Sequence, residues 1–353
     1  MKKIISAVLI TVMLMTALSF LTACSSYDNT LYVLNWGDYI KPSLIKQFEK
    51  ETGYKVKYTT MTSNEEMMIK LRSEDCIYDL CFPSDYVIEK LIEEDLLAEI
   101  NKDNIPNLSN IDPKFLELSN QFDEGCKYSV PYMWGTVGIV YNTELVKEPV
   151  DSWDILWDEK YSGQVLMYDS MRDSIGVTLI KLGYDMNTRN PEEVEAAAQA
   201  LMAQKPIRMG FFGDDAKDTM ISGQGALAVV YSGDAMLCCD PDEGNPNLAY
   251  VVPKEGSNVW FDNMIIPKTS TKKAMAEEFI NFLCDAEVAK ENTEYIGYST
   301  PNMAALALMD ESWTENPIYN PAQDVLDRCT IFHDLGDFLR VFEEAWNKVY
   351  FEN

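Results

Sequence analysis

From residue 31 onward the chain alternates short β-rich apolar runs with longer stretches whose apolar residues recur at helical spacing. That alternation predicts βαβ units and parallel pairing, because parallel strands need a crossover long enough to hold a helix. Strands are expected at 31–35, 55–59, 78–82, 138–141, 164–168, 226–231, 248–252 and 260–266. Helix starts are legible between them. Ser63-Asn64-Glu65-Glu66 has the form of a capping box. Asn190-Pro191-Glu192-Glu193 supplies an N-cap, a proline at the first helical position and acids in the first turn. Asp151-Ser152-Trp153 and Ser270-Thr271-Lys272 are further starts, and a last helix is expected over 335–350. The fold class is therefore α/β. At 353 residues the chain exceeds what one core usually takes. No repeat and no Gly/Ser-rich linker separates two units, so two lobes are expected to share the chain, with crossings near residues 139, 259 and 306.

Charge narrows the partners. The chain carries 29 Lys+Arg against 57 Asp+Glu, a net charge of −28. Such a surface disfavours nucleic acid and anionic lipid and attracts cations, although by itself it can also serve solubility alone. The N-terminus has Lys2 and Lys3 ahead of a mostly apolar stretch, residues 4–21, which is the layout of an export signal. It ends in Leu21-Thr22-Ala23-Cys24, which resembles a bacterial lipobox. The resemblance implies cleavage after residue 23, lipidation of Cys24 and a polar tether over 24–30. The alternative is a membrane-spanning anchor of about 20 apolar residues. Ser6, Thr11, Thr16 and Ser19 interrupt the run, and Cys24 stands at the cleavage point. In either case the body of the protein is exported and tethered. The remaining cysteines, Cys76, Cys81, Cys126, Cys238, Cys239, Cys284 and Cys329, contain no C-x-x-C pair and are expected to be mostly buried free thiols.

Templates for bond-making chemistry find no match. The single histidine, His333, excludes His-pair metal sites. No G-x-S-x-G elbow, P-loop or G-x-G-x-x-G follows a predicted strand. No cofactor is expected, and no enzyme.

One arrangement does recur. Trp36, Asp38 and Tyr39 follow the first strand, and Pro83-Ser84-Asp85-Tyr86 follows the third. Tyr231-Ser232-Gly233-Asp234, Trp260-Phe261-Asp262 and Tyr298-Ser299-Thr300-Pro301 follow later. Four of these five places set an aromatic within three residues of an aspartate, mostly at the carboxyl end of a strand, where open α/β sheets bind ligands. Residues i and i+2 of an extended chain point the same way, so Trp36 with Asp38, and Trp260 with Asp262, can face one pocket. Rings and carboxylates aimed at one point suit an alkylammonium, at about 0.5–2 kcal/mol per ring and about 1.5–3 per charge-assisted hydrogen bond. Each couplet alone is also what strand-end packing and turn acids produce; four together favour a cation site.

The segments "YVLNWGDYI", "YDLCFPSDYVIEKL", "YSVPYMWGTVGIVYN", "SWDILWDEKYSGQVLMYDSMRDSIG", "SGDA", "VPKEGSNVWFDNMIIPK" and "IGYSTPN" occur in this order. Together they resemble the spermidine/putrescine-binding proteins of bacterial ABC importers, over about residues 31–350. The resemblance implies a two-lobed periplasmic-binding-protein fold of type II, each lobe a mixed sheet flanked by helices, with ligand in the interlobe cleft. Lobe 1 would comprise 31–138 plus 260–305, and lobe 2 would comprise 139–259 plus 306–353. It implies polyamine contacts from Trp36, Tyr39, Ser84, Asp85, Tyr86, Asp173, Tyr231, Asp234, Trp260, Asp262 and Tyr298, with Asp38 orienting its loop. It further implies a monomer on the outer face of the cytoplasmic membrane, or in the periplasm, that delivers polyamine to permease subunits. Three positions depart from the pattern. Ser170 stands where a second acid is common, Gly37 replaces a hydrogen-bonding side chain, and Phe332 falls near a late glutamine contact. Putrescine and spermidine both stay open as ligands. The same fold binding a quaternary ammonium or thiamine-type cation is the alternative, and a secreted enzyme is a more distant one.

Overall fold

The expected alternation is what the backbone adopts in a computed structural model, which describes residues 29–213 and 215–351. Its strands are β1 (Thr30–Trp36), β2 (Lys55–Met61), β3 (Leu80–Cys81), β4 (Ser129–Asn142), β5 (Val165–Tyr168), β6 (Arg208–Phe212), β7 (Leu227–Tyr231), β8 (Leu248–Val251) and β9 (Val259–Ile265). They run in the order β2-β1-β3-β9-β4-β7-β5-β6, with β8 paired to β4 off that path. The pairs β1–β2, β1–β3, β5–β6 and β5–β7 are parallel. β9 and β4 enter antiparallel, so each lobe has the mixed sheet that the resemblance implies, where βαβ alternation alone predicts parallel pairing.

β4 joins the halves. Its first part pairs with β9, from Ser129↔Ile265 to Thr136↔Val259, with a register shift between Pro131 and Met133. Its second part pairs with β7 on one side and β8 on the other. Buried side chains divide accordingly. One core gathers Leu31, Val33, Leu80, Phe82, Trp134, Phe261, Ile265 and Phe279. A second gathers Val137, Ile139, Trp153, Val165, Ile175, Val229 and Phe342. A third cluster, with Val140, Leu166, Met220 and Val230, covers the opposite face of the second sheet.

The sequence pattern missed the first half of β4 and all of β6. Every position of β4 except Tyr141 is buried, so no alternation marks it, and Pro131 and Gly135 read as breakers. β6 is a short terminal strand containing Gly210. The helix starts fare better. Ser63 caps Asn64–Leu71 by accepting from Glu66 N at 3.1 Å, and Asn190 caps Pro191–Ala203 through Glu192 N at 3.0 Å. Ser152 caps only a 3-10 turn, Trp153–Trp157. Before the helix Lys273–Leu283, the Ser270 hydroxyl donates to Asp79 at 2.7 Å, and the N-cap is Lys272. The last helix is Leu339–Phe351, shifted toward the C-terminus by a preceding 3-10 turn.

The export signal over 1–23, Cys24 and the tether through residue 28 lie outside the described residues. Among the described residues no helix is long and apolar enough to cross a membrane. The seven described cysteines are free thiols, with Cys81, Cys126, Cys238 and Cys284 buried.

Candidate functional site

Two parallel pairs of strands, β1 with β3 and β5 with β7, deliver their carboxyl ends to one cleft. β1 ends at Trp36 ahead of Tyr39, and β3 ends ahead of Ser84 and the helix Asp85–Glu93. β5 leads into Met171–Lys181, which carries Arg172 and Asp173, and β7 ends at Tyr231 before the helix Ser232–Cys238. Between them β9 presents Trp260 and Asp262, two residues apart and so on one side of the strand.

On the first lobe the centre is Asp262, 6% exposed. Tyr39 OH donates to its Oδ2 at 2.8 Å and Ser84 Oγ to its Oδ1 at 2.7 Å. Ser84 is set in turn by Asn64, whose Nδ2 lies 3.1 Å from Ser84 Oγ and 3.1 Å from Tyr86 OH. Two hydroxyl donors hold the carboxylate in one orientation and leave lone pairs for a further donor. Burial pushes the Asp262 carboxyl up to about 6, against the lowering effect of those two hydroxyls. Asp85, 1% exposed, accepts from Tyr86 N at 2.8 Å through Oδ1, while its Oδ2 has no partner. Burial is the main reason its carboxyl is pushed up to about 8.

On the second lobe Asp173, 4% exposed, accepts from Ser170 Oγ at 2.7 Å and Tyr231 OH at 2.8 Å, both through Oδ2. Asn258 Nδ2 lies 3.4 Å from its Oδ1. Burial raises the Asp173 carboxyl from its ordinary range.

A row of rings connects these acids. Tyr39 meets Tyr298 at 6.1 Å between centroids, Tyr298 meets Trp260 at 5.0 Å, and Trp260 meets Tyr231 at 5.8 Å, all edge to face. The row therefore starts at a residue bonded to Asp262 and ends at one bonded to Asp173. The Trp260 indole Nε1 is buried without a partner. A buried carboxylate is costly without a counter-charge, so this arrangement favours an elongated, apolar-bodied molecule that is cationic at both ends.

Of the residues singled out from sequence, Tyr39, Ser84, Asp173, Tyr231, Trp260, Asp262 and Tyr298 belong to this network, and Asp85 and Tyr86 adjoin it. Two more have contacts of a different kind. Trp36 is half-buried, donates from Nε1 to Phe82 O at 2.9 Å, and is outside the row of ring contacts. Asp234 already has a cation of the protein near it, with Lys217 Nζ 3.6 Å from Oδ1. Asp38 is exposed in a turn at φ 45°, a backbone region that aspartate tolerates, which suits a loop-orienting role. No spacing or motif marked a site role for Asn64, Asn258 or Tyr168, whose ring lies 4.7 Å from Tyr231. Their partners lie far away in the chain, and no spacing rule connects them.

Residues 43–321 match the model of a family described as bacterial extracellular solute-binding protein. The chain is 37% identical to the spermidine/putrescine-binding periplasmic protein of Salmonella typhimurium, over 94% of this chain and 95% of that one. The spermidine/putrescine ABC transporter substrate-binding protein PotD of Streptococcus pneumoniae superposes with a TM-score of 0.79 at 39% identity, covering 91% of this chain and 99% of that one. The Tp0655 (TpPotD) lipoprotein of Treponema pallidum gives a TM-score of 0.82 at 29% identity, covering 92% and 100%.

Proposed function

The chain belongs to the family of bacterial extracellular solute-binding proteins, and from that premise we propose that it is an extracytoplasmic polyamine receptor serving an ABC-type importer. The observation that carries the assignment is the row Tyr39–Tyr298–Trp260–Tyr231, which has buried Asp262 at one end and buried Asp173 at the other. Methylene groups lie along the rings, and the terminal ammoniums meet the carboxylates. A few ring contacts at about 0.5–2 kcal/mol and charge-assisted bonds at about 1.5–3 leave, after binding costs, roughly −8 kcal/mol, the micromolar range. Names of relatives such as the spermidine/putrescine-binding periplasmic protein support the same ligand class.

Lobe 1 is taken as 31–138 plus 260–305 and lobe 2 as 139–259 plus 306–353, a division supported by the two buried cores apart from Val259 and Ile331, which pack in the first core, and Val137, which packs in the second. Ligand bridging both lobes stabilises their closure, and the closed form docks as a monomer on the permease. Export and anchoring follow from the signal-like residues 1–23 and Cys24, and a related chain is itself a lipoprotein. Calorimetric titration with putrescine and with spermidine tests the function, with Asp262→Asn as the control expected to lose binding. Absence of heat and of thermal shift up to millimolar amine overturns it.

A further inference from the structure

Tyr39 supplies one of the two hydroxyls that hold Asp262, yet it lies between β1 and the helix Pro42–Thr52, outside any strand or helix. A buried backbone carbonyl in such a segment needs a partner from elsewhere. Here the partner is Tyr132 of β4, itself buried, whose hydroxyl donates to Tyr39 O. Asn292, 1% exposed on the helix Ala286–Ile296, donates from Nδ2 to Tyr132 OH at 2.7 Å. Its Oδ1 accepts from Lys41 N at 2.9 Å. One amide therefore holds the chain on both sides of Ile40, directly at Lys41 and through Tyr132 at Tyr39.

Chemistry fixes the direction of each of these bonds. Lys41 N–H can only donate, so the amide oxygen faces it and the amide nitrogen faces Tyr132. Tyr132 has one hydroxyl proton, which goes to Tyr39 O, and so it accepts from Asn292. The Tyr132 ring also stands edge to face with that of Tyr39, at 5.4 Å between centroids. The helix of Asn292 ends at the left-handed Gly297, directly before Tyr298, whose ring meets Tyr39 from another side at 6.1 Å. Neither bond of Asn292 goes to Asp262; both go to what places the Tyr39 phenol.

We propose that Asn292 is a positioning residue of the cleft, which acts through Tyr132 and Lys41 to set the Tyr39 phenol on Asp262. Its consequence for ligand rests on the polyamine reading of the same cleft. A hydrogen bond to the ionised form favours ionisation, so the Tyr39 bond lowers the Asp262 carboxyl against the burial that pushes it up to about 6. Carbon-13 NMR titration of that carboxyl in protein without added amine, assigned with Asp262→Asn, reads the bond directly. Tyr39→Phe, Asn292→Leu and Tyr132→Phe should each move the midpoint up by about one pH unit. Asn292→Leu combined with Tyr39→Phe should move it no further than Tyr39→Phe alone, because both remove one bond. Tyr132→Phe keeps the ring and replaces Asn292→Leu if that variant lacks a cooperative melt. In calorimetry with putrescine, the Asn292→Leu affinity should fall about tenfold at pH 5 and far less at pH 8, where Asp262 is ionised in either protein. A packing defect alone would lower it by one factor at both. An unchanged midpoint in the folded variants, additive shifts in the double variant, or an equal loss at both pH values overturns the positioning role and leaves the polyamine reading standing. Midpoint shifts as expected, with no amine bound by the wild type, overturn the polyamine reading and leave the link from Asn292 to Asp262 standing.

Discussion

Asp85 has one carboxylate oxygen bonded to a backbone N–H and the other to nothing, in a setting that is almost fully buried. Burial holds its carboxyl at about 8 and that of Asp262 at about 6. Both are raised, so the folded protein keeps protons that the unfolded chain releases. The stability this contributes is complete below the unfolded carboxylate pKa of about 3.9. It is lost as pH rises through about 6 and about 8. Asp85→Asn should therefore raise the melting temperature of the empty protein by a few degrees at pH 8 to 9 (roughly 2–4 °C per kcal/mol for a chain of this order) and leave it unchanged near pH 4. Ligand ammoniums need the ionised acids, so affinity should climb between pH 5 and pH 8, and binding at pH 7 should release protons. Titrations in two buffers of different ionisation enthalpy check this, and flat affinity with no proton release would contradict it. Sequence could pair ring with acid in "WFD" because i and i+2 share a side of a strand. It could not show that Asp85 loses its solvent while Asp234 finds Lys217.

At the scale of elements, β4 and β9 hold Trp260 in place by close approach. A Cβ on Gly135 would stand 2.7 Å from both Ser232 Oγ and Trp260 Cζ2. A Cβ on Gly233 would meet the Tyr298 ring at 2.3 Å. Backbone here sits directly against rings of the aromatic row. Gly135→Ala should cost about 1–3 kcal/mol of stability by overpacking and should weaken amine binding, because Trp260 has to move. Gly37→Ala, with nothing within 4 Å of its Cβ, serves as the neutral control in thermal melts. Helix starts were legible because caps are local: Ser63 and Asn190 need only residues two or three further on. The long β4 was illegible because burial on both faces erases the period-two signal.

At the scale of the molecule, the helix Asp85–Glu93 reaches across to the segment that carries His333 and Asp334. Glu89 Oε2 lies 3.7 Å from His333 Nδ1 and accepts from Asp334 N at 3.1 Å, and Lys90 Nζ lies 3.7 Å from Asp334 Oδ2. That segment is tied to the second lobe by Asn187 and Arg189, which donate to Ile331 O at 2.8 Å and Asp334 O at 3.0 Å. These contacts link the first-lobe helix to the second lobe from outside the aromatic row. Partly exposed pairs of this kind contribute about 0.2–1 kcal/mol each. Glu89→Gln combined with Lys90→Met should therefore raise the dissociation rate of ligand by no more than roughly tenfold without altering which amine is preferred. Stopped-flow dissociation measures the rate, and a change in ranking would place this helix in recognition instead.

By itself the sequence determined what is local or periodic. That covers the α/β class from alternating segments, the helix starts from their capping residues, the cationic character of the ligand from aromatic–acid couplets, and the sharing of the chain by two lobes. Tertiary structure alone decided how those couplets combine. Tyr39 and Asp262 are 223 positions apart, and Tyr231 and Asp173 are 58 apart, yet each pair shares a hydrogen bond of 2.8 Å. It also decided which acids are desolvated, which already have a lysine, and that Arg172 stands buried among Tyr86, Phe332 and Phe342. The physical reason is that a side chain's charge and solvation depend on neighbours brought by remote segments, whereas backbone preference depends on the few residues on either side.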